Sequence, residues 1–197
     1  MNEILICKYI TEKRFSKYHS LSDYEENLLL SKKYYVPLSI LEVSLRNAIN
    51  THFEKFYGAG WLLNEASFLQ RDHLFKIQEG KRKIQSRKER LTKDKLVAEL
   101  SFGFWVNLFK SSYAGQMRIA NLKQIFTNLP AKDIKLINRN ELFQTINHIR
   151  NFRNRIFHHE KIVNKVNFKN IENDIDEILE YLHEDILDFS KRVNNVH

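Results

Sequence analysis

VPLSILEVSLRNAINTHFEKFY, residues 36–57, is the stretch on which the fold class turns. Leu38, Leu41, Leu45, Ala48, Ile49, His52, Phe53 and Phe56 recur at three- and four-residue intervals, the period of a helix with one buried face. Pro37 is expected in the first turn of this helix, where a missing N–H costs little. Gly58 and Gly60 are expected to close it.

The remaining chain reads in the same way. Residues 70–96 predict a long charged helix or a helix pair, and Glu99–Phe109 a buried helix entered at Ser101, or else a short buried strand. Asn128-Leu129-Pro130 marks a helix start or a turn. A helix over Glu141 to about Phe157 follows, and an acidic last helix opens at Asn167 or Asn170, with Ile171, Ile175, Ile178, Leu182 and Phe189 as its apolar stripe. With only 5 Gly and 2 Pro, the chain lacks the punctuation of sandwiches and barrels. The expected architecture is all-α, a bundle of about five to seven helices forming a single domain over residues 1–197.

Composition narrows the function classes. Hydrophobic residues make up 43% and charged residues 28%, enough for a substantial core. Cys7 is the only cysteine, which excludes an intrachain disulfide and a cysteine-based zinc cluster. The N-terminal apolar patch is too short for a signal peptide, and no run of about 18 apolar residues offers a spanning helix, so a cytoplasmic protein without membrane attachment is expected. The net charge of +8 is unevenly spread: residues 171–190 hold eight acids and no Lys or Arg, which leaves +16 elsewhere. A field of that sign favours a polyanion such as RNA or DNA, although a merely solvated surface would read the same way.

The candidate chemistry lies in Arg150-Asn151-Phe152-Arg153-Asn154-Arg155-Ile156-Phe157-His158-His159-Glu160. On a helical wheel Leu142, Ile146, Ile149, Ile156 and Phe157 define an apolar arc, with Arg153 near its middle and Asn154 and His158 at its edge. A guanidinium facing a core must meet a carboxylate or a water-filled cleft. On the 36–57 helix Glu42 falls within the apolar arc and Arg46 at its margin, so Glu42 is the expected partner that orients Arg153 or a nearby histidine.

Arg153, Asn154 and His158 suit metal-free RNA cleavage. An imidazole can take the 2′-hydroxyl proton or protect the leaving 5′-oxygen, and such proton transfer contributes about 10²–10⁴-fold. A guanidinium forks onto the phosphate oxygens and stabilises the charge that develops there. DNA lacks the internal nucleophile. Taken singly the residues have plainer readings: Arg153 as a core-anchoring ion pair, His158-His159 as a helix C-terminal cap, or the two histidines with Glu160 as metal ligands.

At these residues the chain resembles the HEPN superfamily, whose hallmark is an Arg followed, after four to six residues, by a His. Three stretches are similar to its Abi-like (abortive infection) branch, in the same order: Leu41–Ile49, Glu99–Trp105 and Arg153–Glu160. The resemblance implies a helical bundle, a homodimer that joins two Arg/His motifs in one cleft, and metal-independent endoribonuclease activity without a cofactor. It further implies a toxin-like role in phage defence, held in check by an RNA or protein antitoxin. Arg150-Asn151 duplicates the dipeptide Arg153-Asn154, so the assignment of the motif arginine is not unique.

Two competing functions follow from the same residues. A non-catalytic RNA-binding or regulatory module would use the basic stretch Lys81–Lys95, with Arg71 and Lys76, to hold a phosphate backbone. Beside the catalytic residues, Lys81, Arg82, Lys83, Arg87, Lys88 and Arg150 are the candidate RNA-binding residues, and Glu42, Arg46, His159 and Glu160 the supporting residues of the catalytic reading. A helical interaction protein would instead dock its acidic last helix on a basic partner.

Overall fold

The spine of the molecule is one helix of 37 residues, Leu21–Tyr57, about 55 Å long at the usual rise per residue. A computed structural model describes residues 3–195, so the ends of the expected 1–197 span lie outside the described residues. Ten α-helices are present among them: α1 (Glu3–Tyr9), α2 (Glu12–Phe15), α3 (Leu21–Tyr57), α4 (Arg71–Ser86), α5 (Lys93–Glu99), α6 (Phe102–Asn107), α7 (Ile119–Ile125), α8 (Arg139–Phe157), α9 (Ile171–Leu182) and α10 (Glu184–Asn194). The fold is an all-α bundle. The count exceeds five to seven because short helices stand at residues 3–15 and 119–125, because the charged stretch is a helix pair, and because the acidic last helix is broken in two.

The decisive helix begins earlier than its sequence suggests. Ser20 caps it, its hydroxyl accepting the Asp23 N–H at 3.1 Å, so Pro37 sits in mid-helix and not in the first turn. An interior proline typically costs about 3 kcal/mol. Contacts on its N-terminal side oppose that cost: Tyr34 packs edge-on against Phe152 and Lys33 bonds Glu172 at 2.6 Å. Gly58 closes the helix at φ 82°, a conformation that favours glycine. From Leu38 onward α3 buries Leu41, Leu45, Ile49 and Phe53 in the centre of the core, and α5 to α10 pack around it. Its N-terminal half leaves Leu28, Leu29 and Tyr35 exposed.

The charged stretch is a helix pair, α4 and α5, and the aromatic run forms α6, entered at Ser101. Asn128-Leu129-Pro130 is a turn and its exit, not a helix start. Asn170 precedes α9, while Asn167 lies in a short 3-10 turn. The acidic segment breaks at His183, whose extended backbone resets the register. Ile171, Ile175, Ile178 and Leu182 are therefore buried, but Phe189 on α10 is 47% exposed.

Candidate functional site

Helix α8 is fixed at both ends, which places its last residues in a defined position. At the start Asn138 and Glu141 form a capping box: the Asn138 side chain accepts the Glu141 N–H at 3.1 Å, and Glu141 accepts the Asn138 N–H at 2.9 Å. At the end the Glu160 N–H reaches back to the Arg155 carbonyl at 2.7 Å and the His159 N–H to the Ile156 carbonyl at 2.9 Å. This is a Schellman closure with His158 as the cap and His159 in the left-handed position, φ 54°. Glycine normally occupies that place. A histidine there stores roughly 1 kcal/mol of backbone strain beside the motif.

The buried stripe of α8 is Leu142, Ile146, Ile149, Phe152 and Ile156. It includes Phe152, with Phe157 half-buried, so Arg153 stands on the flank of the stripe and not at its middle. There Glu42 meets it: Nε of Arg153 donates to a Glu42 oxygen at 3.0 Å, and Nη2 lies 3.0 Å from the same oxygen as an ion pair. The two side chains are 23% and 18% exposed, so this pair is neither sealed nor free. The guanidinium carbon lies 4.0 Å from the Phe157 ring centre, and Nη1 makes a long contact of 3.4 Å to Asn154. Phe157 in turn stacks on Tyr35 at 5.6 Å.

His158 and His159 are exposed at the end of α8, five and six residues beyond Arg153. Glu160 is ion-paired to Arg155 at 3.1 Å. Both histidines line a 270 Å³ cavity whose other walls include Lys13, Arg14 and Lys17, and His159 also borders an 890 Å³ cavity with Tyr35 and Phe157. The segment behind them is held by Asn27, a buried residue of α3. Its side-chain oxygen accepts the N–H groups of Ile162 (2.6 Å) and Val163 (3.1 Å). Among the described residues no set of three His, Cys, Asp or Glu side chains converges as metal ligands.

The other residues singled out in the sequence are dispersed. Arg150 lies against α6, making a 3.4 Å contact to Asn107 and packing over Gly103. Burial lowers its proton affinity, and its Nε, like that of Arg46, is buried without a hydrogen-bond partner. Lys81 is held to Glu65 and to the Leu63 carbonyl, Lys83 to Glu79, and Arg87 to both Glu89 and Glu99. Arg82 is exposed, and Lys88 is the left-handed residue that ends α4, φ 58°. Arg71 and Lys76 line a 480 Å³ cavity beside α6.

Reading the sequence missed Asn27, because its partners are 135 and 136 residues away and leave no local pattern. The contact of Arg153 with Phe157 does have a local signal, the four-residue spacing along one helix. No family model, no curated protein and no solved structure matches the chain.

Proposed function

We propose that the chain is a metal-independent endoribonuclease that cleaves RNA by attack of a ribose 2′-hydroxyl on its own phosphate. The observation that carries this reading is the half-buried Arg153, gripped along one edge by Glu42, on the helix that ends in two exposed histidines. With Nε bonded to the carboxylate and Nη2 beside it, the guanidinium is held along one edge and its Nη1 faces Asn154. That edge meets the non-bridging phosphate oxygens and stabilises the charge of the pentacoordinate transition state. His158 takes the 2′-hydroxyl proton or delivers one to the departing 5′-oxygen. The products are a 2′,3′-cyclic phosphate and a free 5′-hydroxyl.

The resemblance of three ordered stretches to the Abi-like HEPN branch supports the same reading. It adds a homodimer with two motifs in one cleft, and restraint of a toxic activity in phage defence by an RNA or protein antitoxin. The alternative of a non-catalytic RNA-binding module loses weight from the ion pairs of Lys81, Lys83 and Arg87, which spend much of that stretch's charge within the molecule.

The test is cleavage of a mixed-sequence RNA in a metal chelator by the full chain and two variants. His158→Ala and Arg153→Ala should each lower the rate by at least about 10²-fold while far-UV circular dichroism is unchanged. Cleavage that persists in both variants sinks the proposal.

A further inference from the structure

We propose that the cavity between α2 and the C-terminal end of α8 seats the phosphodiester backbone of the RNA, and that the Lys81–Lys95 stretch does not. The proposal rests on the ribonuclease reading for its choice of polyanion. Lys13, Arg14, Lys17 and Lys161 line this cavity together with His158 and His159. Among the described residues none of the four cations has a carboxylate partner. Arg14 donates to the His159 carbonyl at 3.2 Å and Lys161 to the Lys17 carbonyl at 2.7 Å, contacts that orient the charges without cancelling them. The one carboxylate on the wall, Glu160, is bound by Arg155.

The Lys81–Lys95 stretch shows the opposite arrangement. Glu54, Glu65, Glu79, Glu89, Asp94 and Glu99 engage five of its eight bases. The positive charge that linear sequence assigns to residues 81–95 is thus largely compensated, whereas residues 13, 14, 17 and 161, far apart in sequence, concentrate uncompensated charge beside the histidines. At physiological salt a charge acts over about 8 Å, so the group of cations that shares a wall with His158 bears on a phosphate there. The cavity volume of 270 Å³ lies under the roughly 300–1,000 Å³ of small-molecule pockets and suits a phosphate with its water.

Binding of a fluorescent 2′-O-methyl RNA strand, which has no free 2′-hydroxyl to attack, tests this independently of turnover. The full chain is compared with Lys13→Glu/Lys17→Glu and with Arg82→Glu/Arg90→Glu, equal charge reversals at exposed sites in the two regions. The first pair should weaken binding by at least tenfold and reduce the salt slope by about 1.4, the value for two lost single-strand phosphate contacts. The second should change affinity less than threefold. Lys13→Ala/Lys17→Ala, which removes the two charges without introducing acids, should move affinity in the same direction by a smaller factor. Equal weakening by both charge reversals, no effect of the first, or no binding by the parent chain overturns the proposal. Binding that follows this pattern in a protein that cleaves nothing would leave the site standing and defeat the nuclease reading alone.

Discussion

Arg153 and Glu42 lie 111 residues apart in sequence, and two guanidinium nitrogens of the first converge on a single oxygen of the second at 3.0 Å. Such a pair, about a fifth exposed, falls between surface bridges worth under about 1 kcal/mol and buried ones whose breakage costs about 3–5. Glu42→Ala should therefore destabilise the chain by about 1–3 kcal/mol, and a double-mutant cycle with Arg153→Ala should show positive coupling. Glu42→Gln keeps an acceptor for Nε, so it should melt near the parent while cleaving RNA more slowly. Denaturant unfolding alongside a cleavage assay separates the two effects.

The left-handed His159 gives a second prediction with opposite signs for stability and function. His159→Gly relieves the strain at φ 54° and should raise stability by about 0.5–1 kcal/mol after the entropic cost of glycine. The same change removes a side chain from both cavities and should weaken RNA binding. His159→Val, β-branched at a positive φ, should lower the melting temperature. Thermal melts of the two variants give the comparison.

The fold class and the pairing of Arg153 with Glu42 were legible in local pattern, and the failures have physical causes. The 3.6-residue period marked Leu38, Leu41, Leu45, Ile49 and Phe53 of α3 and Leu142, Ile146, Ile149 and Ile156 of α8 as buried, but it included Phe56, which is exposed at the end of α3, and passed over the buried Phe152. It could not show that α3 runs back to Leu21 through Pro37, since contacts of Tyr34 and Lys33 with distant residues oppose the proline's cost. Glu42 was legible as a carboxylate on an apolar arc, which had to find a cation. Phe189 was misplaced because the break at His183 resets the helix phase. The state of the Lys81–Lys95 bases was not legible, because their partners include Glu54 and Glu65, brought near only by the folded chain.

Asn27 should prove a stability residue whose loss is felt at the motif. Asn27→Ala leaves the Ile162 and Val163 N–H groups unsatisfied in a buried place, which should cost about 2–4 kcal/mol. Hydrogen exchange of those two amides should accelerate by at least tenfold. Unchanged protection would mean that other contacts hold the segment after His159.

His73 makes stability depend on pH. Its Nε2–H donates to the Phe104 carbonyl at 3.1 Å, and its Nδ1 accepts the Tyr113 hydroxyl at 2.7 Å, a pattern that requires the neutral ring. Burial holds its pKa below the ordinary 6.5, and burial lowers His52 in the same way. As pH falls through 6.5 the unfolded chain takes up protons that the folded chain refuses. Stability should be full above that pH and fall below it, by up to about 1.4 kcal/mol per pH unit for each ring until its folded pKa is reached. His73→Asn should reduce that slope without removing it, as read from melting temperatures between pH 5 and 8.

The chemistry of the RNA ends decides whether Arg153 and His158 direct an internal attack. Mass spectrometry of RNA cut by the purified chain in chelator should find 2′,3′-cyclic phosphate and 5′-hydroxyl termini, and none from His158→Ala. Termini bearing 3′-hydroxyl and 5′-phosphate, or cyclic ends made undiminished by His158→Ala, would contradict it.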